Sequence, residues 1–164
     1  MNGRQAVSEG ASVNGALRVV RRILLVTLVL GLVGTGVELL LLEHFEDWRQ
    51  LIPLGLIASA LMVLAWQGAQ RGPAPVQVLQ VLMLMFVLAG VLGLTLHYRG
   101  NAEFELEMYP DRTGMELFRE SMMGATPALA PGTMIQLALI GLAYTYRHPR
   151  LTRRDAGSTA GHSR

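Results

Sequence analysis

The chain has 164 residues and a formal net charge of +2, and it is 51% hydrophobic but only 16% charged. Ordinary globular proteins have about 25% charged residues, and here the charges lie between four long apolar runs, which is typical of a membrane protein. The length limits the chain to a single domain, and the lack of cysteine excludes disulfides, thiolate metal sites and cysteine redox chemistry.

The polar ends of the chain predict segments outside the membrane. Residues 1–16 are rich in polar residues and glycine, which predicts a disordered cytoplasmic N-terminus. Residues 151–164 are predicted to form a basic cytoplasmic tail that can contact anionic lipid. Residues 17–150, between these two segments, form the predicted membrane domain.

Four apolar runs predict four membrane spans. The first is long enough to cross about 30 Å of hydrocarbon at about 1.5 Å per residue. No small-residue cleavage site follows it, which favours an uncleaved span over a signal peptide. The predicted spans are residues 23–42, 51–66, 76–96 and 129–146. Short connections make consecutive spans antiparallel, so we predict an all-α integral membrane protein with an up-down-up-down four-transmembrane-helix bundle.

The distribution of arginine predicts the orientation of these spans. All fourteen basic residues are arginine, and ten of them precede the first span, separate the second and third, or follow the fourth. The other four share the opposite side with nine acidic residues, so the two sides carry net charges of about +8 and about −5. By the positive-inside rule we expect a bacterial-type inner (plasma) membrane protein with both termini in the cytoplasm.

Each predicted span also contains two small residues four positions apart, a pattern that lets helices approach closely in membranes. The four pairs begin at Gly31, Gly55, Ala89 and Gly141. They favour a compact bundle, or a bundle that docks on a partner.

Residues 97–128, between the third and fourth spans, predict a structured outer segment. Within it, "EFELEM" alternates acidic and apolar residues with a period of two, which predicts a short extended stretch. Its glutamates would face water and, with Phe104, form the predicted partner-docking surface: Glu103, Glu105 and Glu107. Three acids spaced about 7 Å apart along one face of a strand do not converge on a metal by themselves.

A short amphipathic helix is predicted to follow the extended stretch. In "TGMELFRESMMG", Thr113 and Glu116 have the spacing of a capping box, and Gly124 has the position of a C-cap. The apolar residues of this helix share one face: Met115, Phe118 and Met122. We therefore expect the helix to lie on the outer membrane surface or on the bundle.

The candidate ligand-binding residues lie near the outer ends of the first and third spans. Glu38 lies inside a predicted span, and an intramembrane carboxylate indicates a functional site or, near the interface, a structural contact. His44 and His97 follow the two spans, and imidazole with carboxylate suits Zn, Fe or Mn, while two imidazoles suit haem. The predicted metal ligands are His44, His97, Glu38 and Glu103. Against this site, Glu38 and His44 are six residues apart and face differently on a continuous helix.

Three functions remain open on the sequence. The first is a non-enzymatic accessory, assembly or scaffold subunit that binds another membrane protein, or a second copy of itself, through the acidic outer segment. The second is a metal- or haem-binding membrane protein that uses His44 and His97, and the third is an oligomeric transporter or channel component that uses Glu38. The sequence contains no Ser-His-Asp order, phosphate-binding loop or G-x-S-x-G element, which disfavours an enzyme. Beyond the lipid bilayer and a protein partner, we expect no nucleic acid.

Overall fold

The structure, a computed structural model, describes residues 3–124 and 129–151, with side chains from residue 12 onward. Every regular element in these ranges is an α-helix. The helices are α1 (Gly3–Leu41), α2 (Leu51–Ala69), α3 (Ala74–Met108), α4 (Gly114–Met122) and α5 (Gly132–Thr145). The predicted basic tail, apart from residue 151, lies outside the described residues.

Three of the helices are long and apolar enough to cross a membrane. They are α2, α3 and the part of α1 from Ser12 to Leu41. Helix α5 is apolar but has 14 residues, about 21 Å at the rise of an α-helix, which is less than the thickness of the hydrocarbon layer. The fold is therefore that of a membrane-embedded helical protein with three long apolar helices and one shorter one.

The core forms where the four apolar helices meet. Helix α1 packs against α2 and α5, and α3 packs against α2 and α5, with the most extensive contact between α3 and α5. The largest fully buried apolar side chains come from α1 and α3: Leu28, Leu32, Val76, Leu79, Met83 and Phe86. The outward faces of the same helices carry large exposed apolar residues, such as Leu30 and Leu88, which suits contact with lipid rather than water.

Glycine allows the close packing of α5 against its neighbours. A Cβ atom at Gly90 or Gly93 of α3 would lie 2.6 or 2.7 Å from side-chain atoms of Ile135 or Pro131, and one at Gly141 would collide with Met83. Gly31 of α1 meets α5 in the same way. Three of the predicted small-residue pairs therefore lie at close helix contacts, whereas Gly55 has open space around it.

The predicted extended stretch is wrong, because α3 continues as helix to Met108. Alternation over "EFELEM" suggested a strand, but alanine, glutamate, leucine and methionine are all strong helix formers. The preceding span also supplies an existing helix, and adding residues to a formed helix avoids the cost of nucleation. The period of two was therefore outweighed by helix propensity and by continuity with α3.

Two predictions at helix N-termini also differ from the structure. Helix α1 begins at Gly3, whereas residues 1–16 were predicted to be disordered; no proline interrupts the segment, and the helix of the first span extends backward through it. The helix predicted after the extended stretch is confirmed as α4, but the side chain of Thr113 makes no capping hydrogen bond, so the capping box is wrong. Instead, the start of α4 is held by Arg112.

Candidate functional site

The outer segment forms a helical hairpin, residues 97–122, in which α4 packs against the last three turns of α3. We call it the acidic hairpin. Helical geometry separates its glutamates, since Glu103 and Glu107 are four residues apart and share a face, while Glu105 lies about 200° away from Glu103. Accordingly, Glu103 and Glu107 are exposed and Glu105 is partly buried toward α4.

Arg112 holds the corner of the hairpin. Its guanidinium group pairs with Glu105 of α3 and lies 3.4 Å from a carboxylate oxygen of Glu116 on α4. It also lies 4.0 Å from the centre of the Tyr109 ring, which places the cation over an aromatic face. Glu105, predicted as a docking residue, is thus engaged within the chain.

A buried polar contact fixes the other end of α4 on α3. The Asn101 amide, 5% exposed, donates a hydrogen bond of 2.8 Å to the carbonyl oxygen of Ser121, which is fully buried. A side chain at Gly124 would lie 2.7 Å from Asn101, so glycine is needed there for the contact. The rings of Tyr98 and Phe118 add a contact between centres of 5.8 Å. The hairpin is therefore held at both ends.

Apolar side chains remain exposed on this hairpin. Phe104 is 54% exposed and Met115 is 78% exposed, and Met108, Phe118 and Met123 are exposed as well. The expected apolar face of α4 is therefore largely uncovered, and the contacts with α3 come from the Phe118 ring and the Ser121 carbonyl. Glu103, Glu107 and Phe104 of the predicted docking surface remain accessible.

The predicted metal ligands lie in different environments. His44 and His97 are both partly buried, and burial together with the neighbouring charge of His97 lowers the pKa of His44. Glu38 and Glu103 are exposed. In residues 12–124 and 129–151, no group of three or more His, Cys, Asp or Glu side chains could hold a metal ion. The structure thus brings the two histidines near each other without assembling the four-residue set.

The opposite end of the helices is basic, and its arginines bond to helix ends. Arg150 donates from one terminal nitrogen to the carbonyl oxygens of Gln67 and Gln70, at 2.7 and 2.9 Å, at the C-terminus of α2. Arg21 of α1 donates to the carbonyl oxygens of Tyr146 and Arg147 just after α5, at 3.4 Å each. Cations at helix C-termini satisfy free carbonyls and complement the helix dipole.

Near these two arginines lie buried polar groups that the sequence did not point to. His148 is 8% exposed, and burial together with the charges of Arg21 and Arg150 lowers its pKa to about 4, so it stays neutral. Its ring packs edge-on against Tyr144, with 5.6 Å between centres. Gln67 is 4% exposed. The one available signal was the sequence "YRHPR", in which proline and arginine directly follow an apolar run.

The fold and the two polar ends define a membrane-embedded all-helical protein with an acidic hairpin at one end and an arginine-rich cluster at the other. Comparisons with models of protein families, with curated proteins and with solved structures find no match to this chain.

Proposed function

We propose that the chain is a multi-pass inner-membrane protein with an up-down-up-down four-helix bundle and both termini in the cytoplasm. The contacts at the basic end support this arrangement. Arg21 reaches the end of α5 and Arg150 reaches the end of α2, so the N-terminal half of α1 and the C-termini of α2 and α5 lie together. The positive-inside rule assigns that arginine-rich end to the cytoplasm and the acidic hairpin to the outer side.

The protein acts as a non-enzymatic accessory, assembly or scaffold subunit that binds another membrane protein through the acidic hairpin. The observation that carries this proposal is the combination of exposed acids and exposed apolar residues on a hairpin held rigid at both ends. Glutamates at Glu103 and Glu107, one turn apart, repel each other by about 0.2–0.5 kcal/mol, so their placement does not serve the stability of α3. They are available to a ligand from outside the chain.

The apolar residues of the hairpin favour a protein partner over lipid. Met108 lies twelve residues beyond Leu96, the end of the third predicted span, which is about 18 Å along a helix. An upright α3 carries Met108 and Phe104 above the hydrocarbon layer, where exposed apolar residues mark protein contacts. The partner surface should combine an arginine or lysine that bridges Glu103 and Glu107 with an apolar pocket for Phe104.

Photo-crosslinking in intact membranes tests this function. A photoreactive amino acid replaces Phe104 on the hairpin or, as a control, Leu88, which is 64% exposed in the middle of α3. We expect Phe104 to give an adduct with one membrane protein, at a peptide that contains basic residues, and Leu88 to give lipid adducts.

Charge reversal supplies the second half of the test. Glu103→Arg with Glu107→Arg should reduce the adduct several-fold, because the same charges then repel the partner. The matched control is Glu43→Arg with Glu46→Arg, two exposed acids in the α1–α2 connection, which should leave the adduct unchanged. Lipid adducts alone at Phe104, or equal losses in the two double variants, would refute the proposal.

A further inference from the structure

The basic end contains arginines whose charges are not neutralised by the part of the chain that the structure describes. The acidic side chains described all lie between Glu38 and Glu120, in the outer third of α1, the α1–α2 connection or the acidic hairpin. The ion pairs found among described residues all involve Arg112 or Arg119. Arg21 and Arg150 bond to neutral carbonyl oxygens, which leaves their full positive charges in place.

These two arginines also retain donors for a ligand. Among the described residues, each side chain donates from one terminal nitrogen only, and a guanidinium group carries five N–H donors. Both side chains are partly buried, which weakens screening by salt and strengthens their attraction for an anion. Arg21 comes from α1 and Arg150 from the segment after α5, so the two charges converge from separate parts of the sequence.

The Gln67 side chain gives an independent indication of a ligand. It is 4% exposed, and neither its amide nitrogen nor its amide oxygen has a hydrogen-bond partner within residues 12–124 and 129–151. The Tyr144 hydroxyl interacts with this amide, but the contact does not have the geometry of a normal hydrogen bond, and Tyr144 is within electrostatic range of both Arg21 and Arg150. Buried amides without partners are rare, because an unpaired buried group loses its hydrogen bonds to water and gains none in return.

We propose that Arg21, Arg150 and Gln67 form a binding site for a phosphate group, which we call the phosphate site. Guanidinium groups bind phosphate with two parallel hydrogen bonds, and the Gln67 amide adds a neutral donor. His148 is close enough to feel both arginine charges, but as a neutral imidazole it adds no further charge. The ligand class is a phosphate mono- or diester, supplied either by an anionic phospholipid headgroup or by a soluble phosphate. Basic sites between helices at the cytoplasmic surface bind such headgroups in other membrane proteins.

The two tryptophans of the chain allow a direct test on the full-length protein. Trp66 directly precedes Gln67, whereas Trp48 lies in the α1–α2 connection at the acidic end. Trp48→Phe leaves Trp66 as the reporter, and Trp66→Phe leaves Trp48. Each variant is reconstituted in vesicles that contain brominated phosphatidylglycerol or brominated phosphatidylcholine, and quenching of fluorescence measures which lipid lies next to the reporter.

We expect Trp66 to show a preference of about thirtyfold for phosphatidylglycerol, the size that two arginines near a membrane surface supply. Trp48 should show none. Arg21→Gln with Arg150→Gln should remove the preference, while Arg18→Gln with Arg22→Gln, the same charge change at exposed positions of α1, should retain it. Equal losses in the two double variants mean a diffuse charge effect and overturn the site.

Two further measurements cover other sources of phosphate and failure of the arginine variants to fold. Inorganic phosphate replaces chloride at constant ionic strength in phosphatidylcholine vesicles, and a higher midpoint of thermal unfolding at Trp66 identifies a soluble phosphate as the ligand. Gln67→Met keeps both arginine contacts with helix ends and should reduce the lipid preference or the phosphate effect by several-fold. The site is overturned when neither phosphatidylglycerol nor phosphate acts at Trp66, or when Gln67→Met binds as the wild type does.

Discussion

Gly90→Ala tests a helix contact between α3 and α5 in which backbone atoms as well as a side chain lie close to the glycine. The added Cβ atom would lie 2.6 Å from Cγ1 of Ile135, and also 3.1 Å from the carbonyl oxygen of Pro131 and 3.2 Å from the backbone nitrogen of Ile135. A side chain such as Ile135 can rotate away, but the backbone atoms move only if the two helices separate. Forcing an extra methyl group into such a contact costs about 1–3 kcal/mol.

The matched control is Gly100→Ala, ten residues further along the same helix. Nothing lies within 4 Å of a Cβ atom there, and Gly100 is exposed beyond the predicted span. Alanine is favoured over glycine in a helix by about 0.8–1.0 kcal/mol, so Gly100→Ala should stabilise the protein by about that amount. At Gly90 the same gain is offset by the overpacking cost, and the two variants should differ by about 1–3 kcal/mol.

The measurement is the free energy of unfolding of the full chain in detergent micelles, followed by helical circular dichroism as a denaturing detergent is titrated in. Gly100→Ala should shift the midpoint toward more denaturant and Gly90→Ala should shift it toward less, or leave it unchanged. An equal stabilisation by both substitutions would refute the close approach of α3 and α5 at Gly90.

Three further predictions concern the two polar ends. Asn101→Ala should destabilise the protein by about 1–3 kcal/mol because it leaves a buried carbonyl unpaired, whereas Ser121→Ala keeps that carbonyl and should cost less. A double-mutant cycle on Arg112 and Glu105, whose side chains are 22% and 15% exposed, should give a coupling of about 1 kcal/mol that falls with salt; no coupling would contradict the corner contact. His148 protonates near pH 6.5 when unfolded but near pH 4 when folded, so stability should fall as pH drops through this range, and His148→Asn should flatten the dependence.

The apolar helices were the part of the fold that the sequence predicted best. Runs of apolar residues report burial in lipid or in a core whatever the neighbours are, and three of the runs correspond to long apolar helices in the structure. The fourth run corresponds to α5, whose 14 residues are fewer than a span across an undistorted bilayer needs. The length of α5 depends on the contacts at its two ends, and the pattern of apolar residues does not predict those contacts.

The acidic hairpin shows why local patterns can mislead. The glutamates of "EFELEM" fit a strand by their period of two, yet in the helix the same spacing sends Glu105 toward α4 and leaves Glu103 exposed. The Glu105–Arg112 pair is separated by seven residues, but α3 ends at Met108, so helical spacing does not bring the two side chains together. The contact between Glu105 and Arg112 depends on the tertiary structure, because Arg112 lies beyond the end of α3, so local spacing alone could not decide between strand and helix.

The arginine cluster was hidden for a different reason. Its two arginine contacts join residues that are 83 and 125 positions apart in the sequence, Arg150 with Gln67 and Arg21 with Tyr146. An arginine that bonds to backbone carbonyls has no side-chain partner to recognise, so spacing rules for ion pairs do not find it. The number of arginines predicted the positive charge of this end. Neither the burial of His148 nor the unpaired Gln67 amide follows from composition.

Arginine has a different role at each end of the protein, and this difference explains which charges remain unpaired there. At the acidic end Arg112 and Arg119 pair with glutamates of the hairpin, so these two cations are neutralised within the chain while Glu103 and Glu107 stay exposed. At the basic end Arg21 satisfies carbonyl groups, which stabilises helix ends without cancelling its charge. A carboxylate paired with Arg21 would instead cancel this charge and remove the attraction for an anion. Among the described residues, each end therefore presents an uncompensated charge of opposite sign, which is the physical basis for the proposed basic protein partner at one end and the proposed phosphate at the other.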